Sequence, residues 1–166
     1  MINIRQNIFE TNSSSTHSIC IAKKKNYEIP ETFYFKIGEF GWEERFIYDS
    51  TELGSYLYTS IVCTNYYPLE NFKNYVYEVL GKYGCECTFE KPVYNERWHF
   101  LEDGYVDHAG ELGEFLEAVM HSESKLLKFL FSPDSFIITG NDNSDWYFDI
   151  VEDVDFSKVE KYYKGN

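Results

Sequence analysis

Basic residues are scarce in this chain, where 15 Lys and Arg stand against 28 Asp and Glu and give a formal net charge of −13. Proteins that bind a phosphate backbone need clustered Lys and Arg, so we expect no direct nucleic-acid binding. Long apolar runs are also missing, because no stretch approaches the ~18 apolar residues of a membrane span. Residues 1–10 alternate polar and apolar side chains and lack the apolar core of a signal peptide. These absences predict a protein that does not enter a membrane and works in the cytoplasm.

Cysteine is sparse as well, and its spacing does not match a zinc or redox motif. The four cysteines include Cys85 and Cys87, which form C-x-C and not C-x-x-C. On a strand these two side chains face the same way, and we expect both to point into the core. A cytoplasmic location would keep all four thiols reduced. We therefore expect no metal site and no cofactor.

Aromatic residues are abundant, at 19% of the 166 residues, which is too rich for a disordered chain. Strand patterns and helix patterns arrive in blocks, which favours an α+β class over a doubly wound parallel sheet. We predict one compact α+β domain over residues 1–166, with a mainly antiparallel sheet and three to four helices.

The hydrophobic periodicity places the individual elements. Alternation predicts strands over residues 2–10, 18–22, 33–37, 44–48 and 85–90, with Gly38 and Gly41 in a hairpin connection between the third and fourth of these. Apolar stripes predict helices over residues 50–63, 68–83, 111–121 and 125–131. Residues 135–139 and 145–151 read as a closing β-hairpin around residues 140–144.

A polar loop between the first two predicted strands is the first candidate site. Consecutive small polar residues can point backbone N–H groups and hydroxyls at one anion, and a histidine beside them can act as the base for a serine nucleophile. The alternative is a set of turns in which these side chains bond their own backbone. The candidate binding residues are Asn12, Ser13, Ser14, Ser15, Thr16 and His17.

Two later loops could add groups to the same site. Asp107 is expected to cap the helix over residues 111–121, which places His108 in its first turn, where the helix dipole favours a neutral imidazole. The catalytic candidates are therefore His17, Asp107 and His108. The third loop contains Asn141, Asp142 and Asn143, residues typical of a hairpin turn that could also contact a substrate. These groups are too few to predict a metal site.

The run from Arg5 to Ser18 resembles the N-terminal signature of a family of uncharacterised bacteriophage and mobile-element proteins. Those proteins open with a strand followed by F-E-T-N-S-S-S-x-H-S, and every fixed position matches here, from Phe9 to Ser18. Residues 106–108 and 140–143 resemble shorter, weaker blocks of the same proteins. The resemblance implies a phage-like origin, in an infected or carrier bacterial cell, and it implies no reaction.

Two functions from different classes follow. The first is a phage or mobile-element accessory protein that binds and inhibits a host defence or nucleic-acid-handling protein, as anti-CRISPR proteins do. Its acidic side chains would imitate a phosphate track, and it could also form a homodimer. The second is a small enzyme that uses the serine loop to hold a phosphorylated or nucleotide-like substrate. The acidic surface of the first hypothesis comprises Glu102, Asp103, Glu111, Glu114 and Glu117.

Overall fold

Strands and helices arrive in blocks in the computed structural model of the protein, which describes residues 15–64, 66–97, 100–141 and 143–164. The strands in these ranges are β1 (Ser15–Ala22), β2 (Thr32–Phe35), β3 (Glu39–Phe40), β4 (Arg45–Ile47), β5 (Glu86–Phe89), β6 (Tyr105–Val106), β7 (Phe136–Asn141) and β8 (Val159–Lys164). The α-helices are α1 (Ser50–Cys63), α2 (Leu69–Gly81), α3 (Gly113–Met120), α4 (Glu123–Phe131) and α5 (Asp145–Asp153). The predicted α+β class is confirmed.

The main sheet is antiparallel throughout and has the strand order β4-β7-β1-β8. Two small parallel pairs, β2 with β5 and β3 with β6, lie beside it. The predicted hairpin around Gly38 and Gly41 is wrong, because β2 and β4 belong to different sheets. The chain between them instead forms β3, whose partner β6 lies some sixty residues later in the sequence.

Two of the helices that the periodicity predicts, α1 and α4, begin at residues whose side chains cap them. The Asp49 carboxylate accepts from the backbone N–H groups of Thr51 and Glu52 at the start of α1. The Ser122 hydroxyl accepts from the N–H of Lys125 at the start of α4. Each bond satisfies an N–H that has no partner within its helix. In α2, the predicted apolar stripe is buried at Phe72, Val76, Val79 and Leu80.

The two faces of the main sheet bury different clusters, because side chains alternate along each strand. Ile19 and Ile21 of β1 lie on the face that packs against α1, α3 and α4, which we call the front face. Cys20 and Ile138 lie on the back face, where Tyr147 of α5 covers them. Cys85 and Cys87 are both buried in the front cluster, as their spacing predicts.

The predicted strand over residues 145–151 is wrong, because this segment is helix α5. It raises the number of α-helices in the described part of the chain to five. Trp146 and Ile150 satisfy the helical period as well as alternation, whereas Val151 satisfies the helical period alone. All three pack onto the back cluster. A hairpin partner was impossible here, since β7 already has β4 on one side and β1 on the other. The segment buries its apolar face as a helix instead.

The predicted strand over residues 2–10 and the loop residues Asn12, Ser13 and Ser14 lie outside the described residues. Ser15 and Thr16, expected in that loop, belong to β1 and are buried. Among the helices that the structure describes, none has the length and apolar character that crossing a membrane requires.

Candidate functional site

One row of side chains across the front face is polar, although the next row toward the middle of the sheet is apolar. Lys164 of β8 lies opposite His17 of β1, His17 lies opposite Thr139 of β7, and Thr139 lies opposite Arg45 of β4. The next row contains Ile19, Ile137 and Ile47. Directly opposed residues share a face of the sheet, so four strands present polar groups at the same end. We call this end of the front face the polar row.

His17 is the most constrained member of the polar row. Its ring is completely buried, Nε2 lies 2.8 Å from the carbonyl oxygen of Gly41, and Nδ1 lies 2.8 Å from the hydroxyl of Tyr56. Because a carbonyl only accepts, Nε2 carries the hydrogen and Nδ1 accepts from Tyr56. Burial, and after it the nearby charge of Lys164, lowers the pKa of His17 to about 3. His17 is therefore a neutral residue with both ring nitrogens occupied.

Lys164 is a buried cation beside His17, with only 1% of its side chain exposed. Its Nζ donates to the carbonyl oxygen and to the hydroxyl of Ser15. Burial lowers the pKa of Lys164, while the carboxylates of Asp107 and Glu111 act in the opposite direction. Ser15 is thus held by a lysine and not exposed in a loop. No sequence motif singled out Lys164, which lies in the ordinary-looking run Glu160-Lys161-Tyr162-Tyr163-Lys164.

Asp107 and His108 follow β6 and approach the polar row from the side. The backbone N–H of Asp107 bonds to the carbonyl of Phe40, so Asp107 continues the β3–β6 pairing and is not the expected helix cap. His108 adopts a left-handed conformation, with φ of 49°, ahead of the 3₁₀ turn Ala109–Glu111. Its ring nitrogens lie 3.8 Å from Asp107 and 3.7 Å from Glu111. Both Asp107 and His108 act electrostatically on His17, so the three catalytic candidates lie in one region.

Asn141 ends β7 directly opposite Ser15 and therefore joins the same end of the sheet. Its side-chain oxygen accepts from the backbone N–H of Asn143 at 2.9 Å, an Asx-type turn. Asp142, the third predicted residue of this loop, lies outside the described residues. The register of the main sheet thus brings Ser15 and Asn141 together at one end. The segment around Asp107 approaches the same end from the β3–β6 pair.

A groove of about 790 Å³ opens beside Asn141, between the β3–β4 connection and the start of α5. Trp42 lies in this groove with 49% of its side chain exposed. The Glu43 backbone oxygen accepts from the Thr139 hydroxyl at 2.6 Å, which ties the groove to the polar row. We call this feature the Trp42 groove, and its lining residues are Trp42, Glu43, Glu44, Asn141, Asn143 and Ser144.

The carboxylates of the Trp42 groove are held in place by local bonds. Glu43 accepts from the Gly41 N–H at 3.0 Å and from the Tyr105 hydroxyl at 3.4 Å. Glu44 pairs with the Ser144 hydroxyl. The Trp42 ring has no stacked ring or cation among the described residues. The groove therefore offers an open aromatic face beside two fixed carboxylates, a combination that suits a cation.

The acidic residues that the sequence predicts to form a binding surface are exposed to solvent. None of the Asp and Glu residues that the structure describes belongs to the buried class. Glu102 is also fixed by the Asn95 side-chain amide, which donates to it at 3.1 Å. The five predicted residues are all exposed: Glu102, Asp103, Glu111, Glu114 and Glu117.

In the described ranges, no group of three or more His, Cys, Asp and Glu residues is arranged to hold a metal ion. No protein-family model matches the chain, and no curated protein or solved structure shows significant similarity to it. The comparisons therefore place no activity on the polar row or on the Trp42 groove.

Proposed function

We propose that this protein binds a basic protein partner through its acidic surface and inhibits it. The partner class is a host defence or nucleic-acid-handling protein, because such proteins present a basic surface to phosphates. This class agrees with the phage-like origin that the motif over residues 9–18 implies. The mode of action is competition, in which carboxylates occupy a surface that otherwise binds nucleic acid.

The distribution of charge supports an electrostatic role. A formal charge of −13 is carried by carboxylates that lie outside the core wherever the structure describes them. Several form local ion pairs, such as Glu52 with Arg45 and Glu160 with Lys125. Others, including Glu114 and Glu117, have no cation within ion-pair distance among the described residues. Such a surface raises the association rate with a positively charged partner.

The Trp42 groove is the observation that carries the proposal. Tryptophan and tyrosine are enriched at protein interfaces and among the residues that contribute most to binding. A guanidinium on the Trp42 ring would gain about 0.5–2 kcal/mol from cation–π attraction. Glu43 and Glu44 line the same groove, and their carboxylates can accept hydrogen bonds from the N–H groups of that guanidinium. The groove therefore suits an arginine side chain projecting from a basic partner.

The geometry of His17 weighs against the enzymatic alternative. A general base must reach its substrate within hydrogen-bonding distance, whereas His17 is fully buried and bonded at both nitrogens. His108 is exposed, but Ser15, the candidate serine of the loop that lies among the described residues, is buried and bonded to Lys164. The binding function is better supported by the exposed groups.

Binding of a synthetic oligoarginine peptide tests the proposal directly. The peptide is titrated into the protein at low and at high salt, with tryptophan fluorescence and calorimetry as readouts. We expect binding that weakens as salt rises and that weakens at least about tenfold in Trp42→Ala and in the Glu43→Gln, Glu44→Gln double variant. An oligoglutamate peptide should not bind.

A matched double variant, Glu31→Gln with Glu86→Gln, removes the same charge from exposed positions away from the groove. It should bind oligoarginine as the wild type does. If both double variants bound oligoarginine equally weakly, net charge would explain the loss and the Trp42 groove would not be the binding site. If salt left the binding unchanged, the interaction would not be electrostatic. Host proteins captured by the wild type but not by Trp42→Ala would then identify the partner.

A further inference from the structure

A cavity of about 290 Å³ lies between strand β8 and the start of α3, on the opposite side of the polar row from the Trp42 groove. Its apolar lining comes from Ile19, Leu112 and Phe115, whose side chains are almost completely buried. Lys164 lines the same cavity, as do Glu111 and Glu114. The cavity therefore combines an apolar floor, one buried cation and two carboxylates.

The ammonium group of Lys164 has hydrogen-bonding capacity left over. It carries three N–H donors, and Ser15 accepts two of them. No carboxylate of the described residues lies within ion-pair distance of its nitrogen, although Asp107 and Glu111 are close enough to act on it. A buried cation without a paired anion is costly. An anionic group entering the cavity would supply the missing partner.

The carboxylates of Glu111 and Glu114 restrict which anion fits. Both are exposed, so they lie where the cavity meets the solvent. Among the described residues, the ion-pair partner of Glu111 is His108, at 3.7 Å, and Glu114 has no ion pair. A multiply charged anion such as phosphate would be repelled by them. In a ligand that carries an amine beside its carboxylate, the carboxylate would be attracted to Lys164 and the ammonium group to Glu111 and Glu114.

We infer that this cavity binds a free α-amino acid with an aliphatic side chain. The ligand carboxylate accepts from Lys164, its ammonium group donates to Glu111 and Glu114, and its side chain packs on Ile19, Leu112 and Phe115. The size agrees, since drug-sized ligands occupy cavities of about 300–1,000 Å³, and this cavity is slightly smaller. The inference does not depend on the Trp42 groove, because the two features share no lining residue, although Glu111 and Glu114 also belong to the acidic surface.

Three compounds separate the contributions to binding: L-leucine, isopentylamine, which lacks the carboxylate, and 4-methylpentanoate, which lacks the amine. Each is added at about 1 mM to the 166-residue protein, and at this concentration even weak binding is measurable by calorimetry or ligand-observed NMR. We expect leucine to bind at least about tenfold more tightly than either fragment. If none of the three binds, or if leucine binds no better than both fragments, the inference is wrong.

Two sets of substitutions assign each end of the ligand. Lys164→Met keeps an unbranched stem and removes the charge, so leucine should lose its advantage over isopentylamine. Glu111→Gln with Glu114→Gln should remove the advantage of leucine over 4-methylpentanoate. Glu117→Gln, on the same helix but outside the cavity, is the control and should bind leucine unchanged.

Near-UV circular dichroism first establishes that each variant is folded. A folded Lys164→Met protein that binds leucine as the wild type does would overturn the assignment. Should Lys164→Met fail to fold, the glutamate double variant decides alone: undiminished leucine binding there overturns the inference, and loss of the preference over 4-methylpentanoate supports it.

Discussion

The hydroxyl of Tyr56 donates to Nδ1 of His17 across 2.8 Å, joining helix α1 to a central strand that lies 39 residues earlier in the chain. Both side chains are completely buried. The bond satisfies the one ring nitrogen of His17 that the Gly41 carbonyl does not. It also fixes the tautomer, so the histidine that the sequence marks as a candidate base is a structural member of the core.

Removing the Tyr56 hydroxyl should destabilise the protein. Tyr56→Phe keeps the ring packing but leaves Nδ1 of His17 buried without a donor, which costs about 1–3 kcal/mol. Urea denaturation measures the free energy of unfolding. Tyr48→Phe is the matched control, because the Tyr48 side chain is 66% exposed, and its effect should stay within about 0.5 kcal/mol. Equal effects of the two substitutions would contradict the role of the His17–Tyr56 bond.

The pKa of His17 should make the stability fall in mild acid. The pKa of His17 is about 3 in the folded protein and 6.5 in the unfolded chain. At a pH between these two pKa values, His17 is protonated in the unfolded state and neutral in the folded state. Stability is complete above pH 6.5 and is lost as the pH falls, by about 2 kcal/mol between pH 7 and pH 5 from this residue.

Nitrogen-15 NMR of the imidazole rings checks this behaviour without unfolding the protein. At pH 5 the His17 signals should still be those of a neutral ring protonated at Nε2, and His17→Gln identifies them by their disappearance. A His17 ring that gains its proton with a midpoint above pH 5 would refute the expected pKa.

Two glycine-to-alanine substitutions should change the stability of the protein in opposite directions. A Cβ at Gly104 would lie 2.6 Å from the backbone oxygen of Gly38 and 2.3 Å from the Ile37 side chain, so Gly104→Ala forces β3 and β6 apart and should cost about 1–3 kcal/mol. A Cβ at Gly81, in the last turn of α2, meets nothing within 4 Å. Gly81→Ala should therefore stabilise the protein by about 0.4–1 kcal/mol. Thermal unfolding of the two variants measures both, and a harmless Gly104→Ala would show that the strands can move apart.

The cysteines should differ in their reactivity with iodoacetamide. Cys20 is fully buried in the back cluster, and burial raises the pKa of its thiol to about 12. Cys63 is exposed at the end of α1, although partial burial raises its pKa too. Because alkylation needs an accessible thiolate, mass spectrometry of the folded protein should find Cys63 modified first and Cys20 unmodified. Early modification of Cys20 would mean that the back cluster opens readily.

The amino-acid sequence by itself determined the features that depend on nearby residues. The cap at Asp49 and the apolar stripe from Phe72 to Leu80 are local signals, so α1 and α2 were predictable from periodicity and capping. The C-x-C spacing likewise predicted that Cys85 and Cys87 face the core, because alternation along a strand is a local property. The exposure of the acidic residues followed from the cost of burying unpaired charge.

Only the tertiary structure decided which distant residues meet. The segment over residues 145–151 suits a strand or a helix locally, and it became a helix because both edges of β7 were already occupied. Lys164 reaches Ser15 across 149 residues of sequence through the register of β8 on β1, and no local pattern encodes that register. His17 became a buried core residue, and Trp42 an exposed one, for the same reason: burial depends on which elements pack together, which hydrophobic periodicity within a segment does not specify.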